Sequence, residues 1–311
     1  MHRYIIKRLL LLIPVIVGVS LLVFILISFA PGDAVDAMGT VDLTAEQKEE
    51  LRELYGLNKP LIVQYLNYMA NFVRGNMGYS ISFKQPVFDL YFQRFPATMA
   101  LSATAVLFAL IISIPLGIFS ALRAGSVADN TCTVVSLFGI SMPNFWVGLM
   151  LILFFSLRLK WFPSSDFKSI KSLVLPGFTC GIIFMGSLMR QTRSSMLDCL
   201  GADYLRTARS KGVPEGTVIR SHAFRNALIP IVATAGDQLG FMLGGSAVTE
   251  TVFNWPGVGR LMVNAINNMD TTLICGCVIM QTIMISLIML IVDILFAFID
   301  PRIKAQYSKG G

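Results

Sequence analysis

Residues that could do chemistry are few in this sequence and widely spaced. Its two histidines, His2 and His222, have no serine or cysteine nucleophile at a spacing typical of a catalytic pair. The sequence has no Gly-x-x-x-x-Gly-Lys-Ser/Thr loop, so any ATP that is used must bind to another chain. The five cysteines form no Cys-x-x-Cys pair and lie in or beside apolar stretches, which favours buried thiols. We therefore expect no catalytic residue, metal site or cofactor in this chain.

One acidic residue lies near the middle of an apolar run. An acid at that depth in a membrane helix costs roughly 2.5–3.5 kcal/mol on insertion scales, so Asp237 needs a polar partner or a water-filled path. We expect Asp237 and its neighbour Gln238 to line a translocation path, with a buried hydrogen bond between helices as the equal alternative. Asn144 is a third candidate for the path, and Pro143 before it predicts a kink or a hinge.

Three glycines in the same apolar run recur every four residues. Gly236, Gly240 and Gly244 would fall on one side of a helix and form a flat stripe. We expect this stripe to pack closely against a neighbouring helix.

The composition around these residues is that of a membrane protein. The 311 residues are 55% hydrophobic and 14% charged, with a mean hydropathy of +0.69. Soluble domains are roughly 45–50% apolar and 25% charged, so a typical soluble enzyme and a disordered chain are both excluded. The formal charge of +7 is attributed to basic cytoplasmic loops, and no nucleic-acid partner is expected.

Six apolar runs predict six transmembrane helices and an all-α, polytopic fold. Each is long enough, or nearly so, to cross a hydrocarbon core of about 30 Å. The runs are Leu9–Ala30, Thr98–Leu122, Val134–Leu157, Leu173–Met189, Leu228–Val248 and Leu273–Phe298.

An even number of spans places both termini on one side, and the distribution of lysine and arginine favours the cytoplasm. The first run is interpreted as an uncleaved anchor because it is too long for a signal peptide. The expected organisation is an anchor helix (1–30), an extracytoplasmic loop (31–97), a core transmembrane domain (98–298) with a cytoplasmic loop at 190–227, and a cytoplasmic tail (299–311).

The long outer loop carries two amphipathic patterns. Thr44 and Gln47 have the spacing of a capping box, which predicts a helix from about Ala45 to Leu57. Apolar residues from Ile62 to Phe72 then recur at helical spacing. We expect this second helix to lie along the outer membrane interface, and a solvated linker is the alternative.

The cytoplasmic loop has the pattern of a helix, a break and a second helix. Asp203 could cap the first helix, Gly212 could end it with a positive φ, and Pro214 suits the first turn of the second. Apolar side chains facing the cytosol beside basic ones would form the seat of a soluble partner. The alternative is a basic loop that only enforces topology. The residues assigned to this coupling segment are Asp203, Tyr204, Arg206, Thr207, Ala208, Arg209, Lys211, Gly212, Val218 and His222.

These residues resemble the coupling loop of ABC importer permeases, specifically the first permease of the dipeptide, oligopeptide and nickel branch. The resemblance rests on Asp203–Gly212 and His222–Pro230, and it extends over nearly the whole chain. The further motifs are Leu10–Pro14, Ala30–Asp33, Tyr55–Leu57 with Pro60, Pro96–Thr98, Ile114–Gly117, Ser141–Trp146, Glu250–Arg260 and Asp300–Arg302. In place of the wider family's Glu-Ala-Ala, this sequence has Arg206, Thr207 and Ala208 before Gly212.

The resemblance implies a type I permease fold and a subunit that lines, with a second homologous permease, a path for di- or oligopeptides. Two ATP-binding subunits would hold ATP and Mg²⁺ and grip the loop, and an extracytoplasmic substrate-binding protein would deliver the cargo. Membrane lipid surrounds the complex. A nickel or metal-chelate importer is the alternative within this branch. An ion-coupled secondary carrier is the alternative from another class, and an intramembrane enzyme ranks last.

Overall fold

The computed structural model describes residues 2–29, 35, 44–165, 167 and 169–299, and this part of the chain is helical without a β-strand. A π-helical turn, Ile152–Arg158, continues the helix that ends at Leu151, and a 3₁₀ turn, Ile170–Leu173, precedes the helix that begins at Val174. Val218–Phe224 is a π-helical stretch within a longer helix. The helices are α1 (His2–Ser28), α2 (Ala45–Tyr55), α3 (Leu61–Val73), α4 (Val87–Leu122), α5 (Val127–Ser141), α6 (Asn144–Leu151), α7 (Val174–Leu200), α8 (Asp203–Ser210), α9 (Glu215–Gly245), α10 (Ala247–Val252), α11 (Val258–Asn267) and α12 (Thr271–Ile299).

Five helices of the described chain are long and apolar enough to cross a membrane. They lie in α1, α4, α7, α9 and α12 and contain most of five of the six predicted runs. The predicted run Leu228–Val248 extends three residues past the end of α9 at Gly245. The described part of the first predicted run ends at Phe29, so Ala30 lies outside it. The tail at 300–311 is outside the described residues as well.

The sixth predicted span, Val134–Leu157, is not one helix. Its residues belong to α5 and to α6 with its π-helical extension, and these two parts are bent by 99°. Met142 adopts φ −80° and ψ 132°, because a residue before proline is driven out of the helical region. The helix therefore stops at Ser141 and restarts after Pro143, a break much larger than the predicted kink.

The outer loop contains both predicted helices. Thr44 Oγ1 accepts a hydrogen bond from the Gln47 amide at 3.3 Å, and Gln47 Oε1 accepts one from the Thr44 amide at 3.0 Å. This confirms the capping box at the start of α2. The second predicted helix is confirmed as α3.

The described residues form two compact units. The N-terminal unit comprises residues 2–98 and 256–287, and the central unit comprises 99–255 and 288–299. In the N-terminal unit, α3 packs on α1: the Phe24 and Tyr65 rings are 5.5 Å apart, and the Tyr65 and Ser20 hydroxyls are 3.0 Å apart. The buried Asp270 carboxylate accepts from the Ser80 hydroxyl at 2.6 Å and the Ser82 amide at 3.0 Å, which fixes the segment before α4.

In the central unit, α7 approaches its neighbours through glycines. A Cβ atom added to Gly181 would lie 2.8 Å from the carbonyl oxygen of Ala105 in α4. A Cβ atom added to Gly117 of α4 would lie 2.8 Å from the carbonyl oxygen of Met189 in α7. Backbone at this distance excludes any larger residue, so these glycines set how closely α4 and α7 pack. The central unit also carries the candidate site.

Candidate coupling segment and translocation path

The segment between α7 and α9 has the predicted helix, break and helix. The short helix α8 ends at Ser210, and Gly212 adopts φ +76°. This confirms that Gly212 supplies the positive φ of the break. Pro214 precedes Glu215, the first residue of α9, so the second predicted helix is continuous with a membrane-spanning helix.

The predicted cap at Asp203 is wrong. Ala202 is the N-cap residue, with φ −78° and ψ 143°, and Asp203 is the first residue of α8. The Asp203 carboxylate still lies in the first turn, where a negative charge interacts favourably with the helix dipole. Its contribution is thus electrostatic.

The prediction of an exposed apolar edge at Val218 is also wrong. Val218 and Ala223 are fully buried, because the π-helical stretch that carries them packs against α7 and α8. Leu205 of α8 is fully buried as well. Tyr204 is the large apolar side chain of the segment that remains exposed, at 42%. The other exposed predicted residues are polar or glycine, namely Asp203, Arg206, Thr207, Arg209, Lys211, Gly212 and His222, and Ala208 is half-buried.

An ion pair braces the two sides of the glycine break. Arg209 donates from Nε to one carboxylate oxygen of Glu215 at 3.1 Å and from Nη2 to the other at 2.8 Å. The Glu215 carboxylate raises the pKa of the Arg209 guanidinium above its usual value. On the other edge of α8, the Asn226 amide donates to the Tyr204 hydroxyl at 3.2 Å. Two side-chain links therefore hold α8 against the first turns of α9.

A second ion pair, which sequence reasoning missed, joins α7 to the start of α5. Arg193 donates from Nε and Nη2 to the two carboxylate oxygens of Asp129, both at 2.7 Å. Asp129 also accepts hydrogen bonds from the Ser120 hydroxyl and from the Gly125 amide, which close the turn between α4 and α5. Four donor atoms, from two helices and a turn, thus converge on one buried carboxylate of a third helix.

The predicted path residues do not share one surface. Asp237 is exposed on the isolated chain, whereas Gln238 is buried and donates to the Ser187 hydroxyl at 2.8 Å. Asn144 is half-buried at the start of α6. The amide oxygens of Gln238 and Asn144 have no hydrogen-bond partner among the described residues. Of the three candidates, Asp237 is therefore the exposed one, and it alone has an ionisable side chain.

The predicted glycine stripe is in contact at two of its three positions. A Cβ atom added to Gly236 would lie 2.6 Å from Val292 Cγ1, and one added to Gly240 would lie 2.6 Å from Met289 Sδ, both in α12. Gly244 is exposed, so the stripe is shorter than predicted.

Comparison with known proteins identifies the family. Residues 113–305 match the family described as binding-protein-dependent transport system inner membrane component, and residues 1–102 match the N-terminal family of the same membrane components. The chain belongs to this family of importer permeases. Permeases of this family are transport subunits, so the chain is a multi-pass inner-membrane protein and not an enzyme. The secondary-carrier interpretation does not fit this family.

Curated relatives match this permease from end to end. The oligopeptide transport system permease protein AppB of Bacillus subtilis is 40% identical over 98% of this chain and 100% of its own length. The di/tripeptide transport system permease protein DppB of Pseudomonas aeruginosa is 38% identical over 98% and 100%. The glutathione transport system permease protein GsiC of Escherichia coli is 40% identical over 98% and 99%.

A solved structure shows the same fold. An inward-facing structure of the methionine ABC transporter MetNI covers 68% of this chain and 97% of its own chain, with a TM-score of 0.58 and 17% identity. The permease therefore has the ABC importer permease fold. Membership in a binding-protein-dependent family implies that it works with other subunits.

Proposed function

We propose that this permease is one of two membrane subunits of an ATP-driven importer of di- or oligopeptides. The single observation that carries this proposal is the match over 98% of the chain to permeases named for oligopeptide and di/tripeptide transport, from two different bacteria. The second membrane subunit is a homologous permease, and an extracytoplasmic substrate-binding protein delivers the peptide. Two ATP-binding subunits supply the energy and hold ATP and Mg²⁺.

The coupling segment supports contact with an ATP-binding subunit. Its exposed face is mostly polar and carries Arg206, Lys211 and the Tyr204 ring. Aromatic and arginine side chains are the residue types enriched in protein interfaces. The buried face holds Leu205 against the chain itself. A partner that grips the exposed face of α8 therefore acts on the base of α9.

Two side-chain links between α8 and α9 transmit the movement of α8 to α9. The Arg209–Glu215 pair and the Tyr204–Asn226 hydrogen bond each link α8, which precedes Gly212, to α9, which follows it. Leu205 of α8 and Val218 of the π-helical stretch are fully buried, and the two elements are in contact, so sliding α8 over α9 would expose apolar surface. Closure of the ATP-binding subunits shifts α8, and α9 tilts with it.

Asp237 connects this tilt to the cargo. It lies on α9, is exposed on the isolated chain, and carries a charge that must face a polar surface at membrane depth. A tilt of α9 moves this carboxylate between two positions. In this mechanism Asp237 lines the path, and Gly236 and Gly240 hold the adjacent face of α9 against α12.

The proposal is tested with the complete transporter reconstituted in vesicles. ATP hydrolysis is measured with the substrate-binding protein empty or loaded with a dipeptide, an oligopeptide or a nickel chelate. We expect peptide-loaded binding protein to stimulate hydrolysis several-fold and to drive peptide uptake that requires ATP. Equal stimulation by nickel chelate contradicts the peptide assignment. Uptake by this chain without ATP-binding subunits contradicts the importer mechanism.

A further inference from the structure

One helix of the N-terminal unit has an exposed apolar face. The helix is α3, and none of its residues is charged, whereas six of the 11 residues of α2 are charged. One side of α3 packs on α1 through the buried Tyr65. On another side, Ile62, Leu66 and Val73 are 72%, 59% and 80% exposed. These three side chains share one face because their spacings, four and seven residues, follow the helical period. We call this face the α3 stripe.

Contacts with α1 fix the depth of α3 in the membrane. The apolar span of α1, Leu9–Ser28, has 20 residues and is about 30 Å long, which is the thickness of a hydrocarbon core. The Tyr65 hydroxyl lies 3.0 Å from the Ser20 hydroxyl and donates to the Val17 carbonyl oxygen at 3.2 Å. Ser20 lies eight residues before Ser28, or about 12 Å from the outer end of the span. The Tyr65 hydroxyl therefore reaches well inside the hydrocarbon.

The ring contacts of α3 lie inside the hydrocarbon as well. Tyr65 forms a buried cluster with Phe24 of α1 and Cys275 of α12. The Tyr68 ring also packs on Phe24, with 6.0 Å between the centroids. Phe24 lies four residues, or about 6 Å, inside the outer end of the α1 span, and Cys275 lies within the apolar span of α12. Two spans thus place the packed side of α3 below the headgroups.

The polar residues of α3 fit this position. Asn67 and Asn71 are exposed and lie four residues apart, so they share a third side of the helix. A helix with one apolar and one polar side lies in the plane of a membrane, with its apolar side among the acyl chains. Arg74, which directly follows α3, is exposed. A long arginine side chain can extend to the headgroups while its helix stays in the apolar layer.

We propose that α3 is embedded in the outer leaflet and that the α3 stripe binds lipid acyl chains. The stripe adjoins an established lipid-facing surface, because α1 is a membrane span on which Leu22 and Leu26 remain 56% and 61% exposed. The Tyr65 hydroxyl is paired with groups of α1, so no water is needed at that depth. The outer loop of this permease thus contributes a helix to the membrane itself.

Tryptophan fluorescence in brominated lipid tests this proposal. Leu66→Trp is made in the complete transporter, which is reconstituted in phosphatidylglycerol vesicles whose acyl chains carry bromine, a contact quencher. Leu54→Trp is the matched control, because Leu54 is an exposed leucine of the highly charged α2. The emission of the parent protein, which has three tryptophans, is subtracted. We expect brominated lipid to remove most of the emission added by Leu66→Trp and little of that added by Leu54→Trp.

Acrylamide, a quencher dissolved in the water, gives the converse measurement. It should quench Leu66→Trp several-fold less than Leu54→Trp. Ile62→Trp repeats the test one turn earlier on the α3 stripe, so a folding defect at one position does not decide the result. Equal quenching of all three variants by acrylamide, with none by lipid, overturns the proposal. Protection of both stripe variants from both quenchers also overturns it and assigns the stripe to the second permease. Protection from acrylamide that appears only with added substrate-binding protein overturns it in favour of that protein.

Discussion

The Arg193 guanidinium donates a hydrogen bond to each carboxylate oxygen of Asp129, both at 2.7 Å. The same carboxylate closes the turn between α4 and α5 through the Gly125 amide at 2.9 Å. One side chain thus fixes three helices of the central unit. Because Asp129 is buried, neither partner of this pair can be removed without leaving unsatisfied polar groups behind.

Replacement of either partner should destabilise the permease. We expect Asp129→Asn and Arg193→Gln each to lower the melting temperature of the purified complex by several degrees. The melting temperature of the double variant should be little lower than that of the single variants, because the two residues share one interaction. Asp198→Asn is the control, since Asp198 is an exposed acid on the same helix as Arg193. Fully additive losses would contradict a shared interaction.

The glycine break makes a second prediction. Gly212→Val should cut peptide uptake about tenfold while membrane insertion stays intact, because a β-branched residue at φ +76° costs roughly 1–2 kcal/mol or more. This cost does not come from a steric clash with neighbouring residues, since an added Cβ atom would have no neighbour within 4 Å. Gly216→Ala is the matched control: it has the same open space and no positive φ, and uptake should persist. Equal uptake by both variants would show that the break is not needed.

The brace across the break can be tested by charge exchange. Arg209→Glu and Glu215→Arg should each reduce ATP hydrolysis stimulated by the binding protein several-fold. The double exchange should restore much of it, because it re-forms an ion pair with reversed charges. The melting temperature should change little in all three variants, because exposed ion pairs contribute little to stability. A double variant as inactive as the single ones would rule out the brace.

The contact between α9 and α12 gives a fourth prediction. Gly236→Val should lower the free energy of unfolding by about 1–3 kcal/mol, because new atoms would overlap Val292 and Phe296. Gly244→Val introduces the same side chain at an exposed position of α9, so its effect should be small. Denaturant titration of the purified complex measures both. Similar losses would show that helix propensity, and not packing, decides the result.

The proposed position of Asp237 on the path predicts that it selects among cargoes. Asp237→Asn should lower the uptake of lysine-containing dipeptides more than that of glutamate-containing ones, since the exposed carboxylate attracts positive charge. The measurement is the ratio of the two uptake rates in the same vesicles. Asp293→Asn is the control, because Asp293 is the one acid of the predicted run Leu273–Phe298 and is not among the candidate path residues. An unchanged ratio in Asp237→Asn would remove this residue from the path.

Local patterns predicted the elements of the fold well. A run of apolar residues identifies a spanning helix, and Thr44 with Gln47 identifies a helix start, because the interacting groups are neighbours in sequence. The early start of α4 at Val87 escaped prediction, since Asp89 and Arg94 interrupt the apolar run without ending the helix. The 99° bend at Pro143 escaped it as well. Proline predicts a break, but its angle depends on distant packing.

Local sequence patterns also predicted part of the candidate site. Gly212 and the helices on either side of it follow from residue types alone. The burial of Val218 does not, because a π-helical stretch changes which side chains face the chain. The Asp129–Arg193 pair joins residues 64 positions apart, and no local spacing announces it. Contacts between distant segments therefore required the structure.

The length of α9 determines how far its far end moves when its base tilts. From Glu215 to Gly245 the helix has 31 residues, or about 46 Å. A rotation of about 5° around its base displaces the far end by about 4 Å, roughly three-quarters of a helical turn. In the proposed mechanism, a tilt of a few degrees at the end of α9 next to α8 is therefore enough to displace its far end by several ångströms.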